Sequence, residues 1–127
     1  MRISRGVYDA VKLQAQAQNP KEAVGLLFGK DLTIDRLVPL SNISESRYSF
    51  ELNREQVDAV LSAETIAPIA FFHSHPTDID QPSTADIEGA RAWPGIYHLI
   101  VSLQDVPSMR CWLIHDGQVI PEPLEIV

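Results

Sequence analysis

Two imidazoles stand on alternate residues in the stretch FFHSHPTDIDQPSTAD, residues 71–86, with a serine and an aspartate shortly after them. In a β-strand, residues i and i+2 leave the same face, about 7 Å apart along the chain. His73 and His75 therefore point together, and Ser74 points away. Two such rings can converge on one metal ion at about 2.0–2.1 Å per bond. Pro76 restricts His75 to extended backbone and removes a ladder donor, so the strand stops where the rings sit. A lone strand histidine is usually a packed or surface residue; it is the alternate pair that points to a metal, and the pair alone names no family.

Ser83 and Asp86 have the Ser-x-x-Asp spacing of a capping box that opens a helix. Residues i and i+3 of a helix also share a face. If that face meets the end of the histidine strand, Asp86 becomes a third ligand. His, His and Asp leave the fourth tetrahedral position to water, the layout of a catalytic rather than a structural zinc site. Such a water has a pKa near ~7 instead of ~15.7, and it still needs a base. Glu22 is the candidate: it opens EAVGLLFG directly after the Asn19-Pro20 break, at the edge of an element. Without that setting it would be an ordinary solvated carboxylate. Asp78 and Asp80 lie nearer the histidines and either shape the mouth of the site or face water.

These residues need elements to hold them. Val7, Val11 and Ala15 recur at four-residue steps and predict a helix over 4–18, stopped by Asn19-Pro20. EAVGLLFG, 22–29, and the alternating Leu32, Ile34, Arg36 and Val38 predict two strands joined by a turn at Gly29-Lys30-Asp31. RYSFEL, 47–52, is expected to be a further strand. A second helix opens at Asn53 with Gln56 three residues on, carries Val57, Val60 and Leu61 on one face, and ends before Pro68. IAFFHSH is a strand, with Phe71 and Phe72 anchoring it in the core. STADIEGARAW is a helix closed by Pro94-Gly95, and IYHLIVSL and MRCWLIH are strands. Asp116-Gly117 predicts a hairpin into QVIPEPL. Grouped strands interrupted by helices give an α/β fold: one mixed sheet flanked by helices.

Composition narrows the partners. The 127 residues suit one domain, and 45% are apolar. No apolar run reaches the ~20 residues that span a bilayer, and the N-terminal stretch lacks the core of a signal peptide, so a cytoplasmic protein without membrane contact is expected. A formal charge of −7 disfavours nucleic acid. The one cysteine, Cys111, excludes an internal disulfide and cysteine-rich zinc sites, and in MRCWLIH it is expected to be a buried small hydrophobe.

HSHPTDIDQPSTAD resembles, position by position, the signature of the JAMM (MPN+) metallopeptidases: His-x-His-Pro, six residues, then Ser-x-x-Asp. EAVGLLFG resembles that family's other mark, a strand glutamate followed by a Gly-Leu-Leu-like run. The resemblance implies a single metallopeptidase domain over 1–127 with a cytidine-deaminase-like α/β architecture. It implies that His73, His75 and Asp86 bind one Zn²⁺, that Glu22 is general base and acid, and that Ser83 stabilises the oxyanion. The chain is similar to the compact prokaryotic-type members, which are linked to small ubiquitin-like or sulfur-carrier proteins. The implied reaction is hydrolysis after the carrier's C-terminal glycine, joined to a lysine side chain or to a cysteine. Residues 41–52 would wall the groove for such a tail.

Two other functions compete. A non-catalytic MPN scaffold needs no metal, yet all five site residues are present. A different zinc amide hydrolase, such as an amidohydrolase, would recruit further histidines, and a zinc deaminase would need a Cys-x-x-Cys pair. Only His98 and His115 remain; His98 is expected in the core and His115 at an exposed turn.

Overall fold

The structure, a computed structural model, describes residues 1–127. Eight strands form one sheet in the order β7-β6-β5-β4-β2-β3-β1-β8. They are β1 (Arg2–Ile3), β2 (Val24–Lys30), β3 (Thr33–Leu40), β4 (Ala70–His75), β5 (Tyr97–Ser102), β6 (Ser108–His115), β7 (Gln118–Glu122) and β8 (Glu125–Ile126). The helices are α1 (Arg5–Gln18), α2 (Arg54–Ala63) and α3 (Thr84–Gly89), the last continued by a 3-10 turn over Ala90–Ala92. The sheet is mixed: β4 pairs in parallel with β5 and antiparallel with β2, and α3 fills the β4-to-β5 crossover. No helix is long and apolar enough to cross a membrane.

Alternation along each strand separates two cores. Ala70, Phe72, Leu99, Val101 and Cys111 face one side, where α1 covers them with Val7, Val11 and Ala15. Ser4 caps that helix by accepting a hydrogen bond from the Val7 N–H at 3.3 Å. Val24, Leu26, Phe28 and Phe71 face the other side, against Val57 of α2, Trp93 and Phe50. His73 and His75 belong to this second face.

Most expected elements are present, with five differences. The β2–β3 turn is Asp31-Leu32, both at positive φ (53° and 58°), two residues beyond the glycine expected to make it. Gly29 instead sits at a bulge where the register shifts, and a Cβ there would lie 1.8 Å from the Thr33 carbonyl oxygen. RYSFEL is not a strand; residues 41–53 form a loop closed by one bridge, Asn42 to Leu52. The cause is local competition for the backbone. The N–H groups of Ser44, Ser46 and Tyr48 donate to the side chains of Asn42, Ser44 and Ser46, each two residues back. At α2, Asn53 accepts from the Gln56 N–H, but Gln56 Oε1 takes the Ser41 N–H instead of completing a box. The helix after Ser83 stays α-helical for only six residues. The two-residue strands β1 and β8 were not expected.

Candidate metal centre

The site is assembled from three places: the approach to β2, the end of β4 and the first turn of α3. β4 ends at His75 as Pro76 requires, and its register against β5 sets His73 beside Ile100 and His75 beside Ser102. Both histidines are buried, at 1% and 5% exposure. Ser83 caps α3 and the expected box is complete: Ser83 Oγ accepts the Asp86 N–H at 3.1 Å, and Asp86 Oδ2 accepts the Ser83 N–H at 2.9 Å. A hydroxyl has two acceptor lone pairs and one donor proton. Capping uses the first kind, so the Ser83 O–H remains free to donate.

The box also aims Asp86. Its Oδ2 lies 3.1 Å from His73 Nε2 and 3.0 Å from His75 Nε2, and the two Nε2 atoms are 3.1 Å apart. Three donor atoms thus form a nearly equilateral triangle. Tetrahedral ligands at 2.0–2.1 Å from an ion would be separated by about 3.3 Å, and the edges of this triangle are about 0.2–0.3 Å shorter. The donor set, two imidazoles and a carboxylate with a fourth corner open, fits a zinc-type divalent ion. Glu22 is the fourth group: its carboxylate and both rings offer ligand atoms within 4.8 Å of one another.

Tautomers follow from the surroundings. His75 Nδ1 lies 2.7 Å from the Ile79 carbonyl oxygen, which can only accept. Nδ1 therefore carries the proton, and in the neutral ring Nε2 turns a lone pair to the triangle. His73 Nδ1 is buried with no partner, as is His98 Nε2.

Burial works against charging His75, yet the Asp86 and Ile79 hydrogen bonds and the Glu22 charge raise its pKa. Burial also opposes ionisation of Asp86, but its contacts with the His73 and His75 rings hold its carboxyl well below the usual range. Glu22 is pushed up to about 7, chiefly by burial; His75 pulls it down and Asp86 pushes it up. A carboxylate near 7 can both take and return a proton at neutral pH.

Glu22 precedes β2 by two residues, so it is not itself in the strand. Its neighbours fix it. Ser74 Oγ accepts the Ala23 N–H at 2.7 Å, the Ser74 N–H donates to the Ala23 carbonyl at 3.0 Å, and Asn42 Nδ2 donates to the Glu22 carbonyl at 2.9 Å. Neither Ser74 nor Asn42 stood out in the sequence. Ser74 could have been found, as the residue between the two histidines whose side chain must go to the opposite face.

Two cavities flank the triangle. One, about 160 Å³, lies between loop 41–53 and α3 and is walled by Phe50, Phe71, Trp93 and His98 as well as His73 and Asp86. The other, about 100 Å³, is bordered by Glu22, Arg47, His75, Asp78 and Ser83. Tyr48, 75% exposed, borders both. Residues of loop 41–53 thus border both cavities. Asp78 borders the second cavity, and Asp80 lends its carbonyl to Trp112 Nε1 at 2.9 Å. His98 is buried as expected, with its pKa lowered to about 4, chiefly by burial, and His115 is exposed beside Asp116. Burial pushes the Cys111 thiol up to about 12, so it stays protonated.

Known proteins are similar to this chain. The chain is 28% identical over 113 residues to a desampylase of Pyrococcus furiosus, covering 87% of this chain and 79% of that protein. It is also 28% identical over 122 residues to a Thermus thermophilus protein named "probable TtuB-protein conjugate cleaving protease", covering 93% and 78%. Among solved structures, one described as a JAMM metalloprotease-like zinc site in the proteasome and signalosome superposes with a TM-score of 0.65 at 25% identity, over 100% of this chain and 97% of that one. The family model for prokaryotic homologs of the JAB domain matches residues 4–115, and the chain belongs to that family.

Proposed function

We propose that this chain is a zinc-dependent isopeptidase of the cytoplasm. It hydrolyses the amide bond after the C-terminal glycine of a small ubiquitin-like or sulfur-carrier protein, attached to a lysine side chain or a cysteine. Residues 1–127 act as one catalytic domain. The observation that carries this is the triangle of His73 Nε2, His75 Nε2 and Asp86 Oδ2 with a buried glutamate beside it. A non-catalytic scaffold has no use for a buried carboxylate next to three converging donors. The names of the two relatives, desampylase and conjugate-cleaving protease, support the substrate class.

His73, His75 and Asp86 would hold the ion. A zinc ion held there would supply Lewis acidity, lowering the pKa of a water and polarising the scissile carbonyl. Glu22, buried beside the triangle, would accept a proton from the attacking water and hand it to the leaving nitrogen. Ser83 keeps its Oγ as the α3 cap and donates its hydroxyl proton to the carbonyl oxygen as negative charge grows there. One such donor contributes about 3 kcal/mol. A glycine-ended tail needs no side-chain pocket on the acyl side, only a narrow passage, and the small cavity between Glu22 and Ser83 suits that.

The test uses a panel of carrier-protein conjugates read by mass spectrometry, with and without a chelator. The parent should bind about one zinc per chain and cleave; chelator should stop cleavage, and zinc should restore it. Glu22→Gln should retain zinc and lose about 10²–10⁴-fold in rate. A mutant as fast as the parent would remove Glu22 from the mechanism, and a parent without zinc would favour the scaffold.

A further inference from the structure

The turn that leaves the histidine strand, residues 76–82, takes part in no backbone–backbone hydrogen bond. Its hold on the sheet comes from side chains. Three consecutive carbonyls each accept from a different strand: Asp78 from Ser102 Oγ at 2.5 Å, Ile79 from His75 Nδ1 at 2.7 Å, and Asp80 from Trp112 Nε1 at 2.9 Å. The register places all three donors on one face. His75 lies opposite Ser102, and Trp112 lies opposite His98, whose other neighbour is Phe71, of the same parity as His75. Each donor residue is 5% exposed.

We propose that Ser102 and Trp112 are positioning residues of the metal centre. Neither touches the triangle. They clamp the peptide groups on either side of the Ile79 carbonyl and so keep that carbonyl on His75 Nδ1. That contact decides which nitrogen of His75 carries the proton and how the ring is turned. A ligating histidine depends on such a partner, whose loss typically costs 10–100-fold in metal affinity. In a turn with no backbone ladder, the Ile79 carbonyl would otherwise be free to rotate away. Trp112 is held in turn: the Arg110 guanidinium stacks 4.3 Å from its ring centroid. The proposal rests on His75 being a zinc ligand, and the zinc affinity of the parent tests that separately.

The variants are Trp112→Phe, which keeps an aromatic ring and removes the N–H, Ser102→Ala, and Ser102→Thr, which retains a hydroxyl. Zinc affinity is measured by competition with a chromophoric chelator. Solvent exchange of the His75 Nδ1 proton is followed by ¹⁵N-edited NMR on the zinc-loaded protein. Trp112→Phe and Ser102→Ala should each weaken zinc binding roughly tenfold and speed that exchange, with Ser102→Thr restoring both. If affinity and exchange match the parent, the proposal fails. It fails equally if only the thermal midpoint drops, since the two side chains would then merely anchor the turn. A parent that binds no zinc sinks the metal assignment and this proposal together, whereas a zinc-binding parent with unaltered variants sinks this one alone.

Discussion

Glu22, the proposed base, is the residue at which that role and stability pull apart. Its carboxyl ordinarily titrates at 4.5 and is pushed up to about 7 in the fold, mainly by burial. Between those values the folded chain holds the proton more tightly than the unfolded chain does. Its contribution to stability is therefore full below about pH 4.5 and is lost as the pH rises through about 7. Glutamine imitates the neutral form and escapes that loss. In metal-free protein, Glu22→Gln should be more stable than the parent at pH 8 by about 2 kcal/mol, after discounting for solvent at the cleft. The gain should vanish near pH 4.5. Urea midpoints at the two pH values check this; an equal gain at both would mean that charge is not the cause. As candidates, His73, His75, Ser83 and Asp86 were legible in the sequence because their spacing along the chain is itself the pattern, and Glu22 because it opens EAVGLLFG after the Asn19-Pro20 break. Asn42, Ser102 and Trp112 were not, because each acts on a partner at least 20 residues away, and only the folded chain reveals it.

At the scale of elements, periodicity located every long helix and strand, whereas turns and short segments needed the third dimension. The β2–β3 hairpin illustrates why. Gly29 looked like the turn residue, but the bulge claimed it, since no side chain fits against Thr33. The turn was left to Asp31-Leu32, with a leucine in the left-handed region at φ 58°. A non-glycine residue there costs about 1–2 kcal/mol. The other hairpin, at Asp116-Gly117, also has positive φ at both positions, 49° and 77°, with glycine in the second place. Leu32→Gly should therefore stabilise the fold by about 0.5 kcal/mol, the strain relieved being partly offset by the entropy of glycine. Denaturant unfolding measures it; a lower midpoint would mean that the half-exposed Leu32 side chain contributes more packing than its backbone costs. RYSFEL makes the complementary point. Its alternating pattern reads as a strand, but the serines before it satisfy backbone donors at two-residue steps and curl the chain into the wall of the site. Side-chain hydrogen bonds of that kind leave no trace in hydrophobic periodicity.

Across the whole molecule, the α/β class followed from the order of elements, while the two-residue strands β1 and β8 were too short to carry any pattern. The order of the sheet could not be read either, and it places β4 with three strands on one side and four on the other. The histidine strand therefore shares the centre of the sheet with β2, and all six of its residues are buried. Melting that starts at the rims, β7 or β8, must pass through every intervening ladder before it reaches His73. Native-state hydrogen exchange should find the slowest amides at Phe71–Ser74 and the fastest among the outer strands. Exchange at Phe71 as rapid as at Val119 would contradict this. His73 and His75 should accordingly keep their places through fraying of the outer strands, whereas Ser83 and Asp86, on the six-residue α3 beyond a turn without backbone hydrogen bonds, should leave first, so that heat inactivation precedes complete loss of structure.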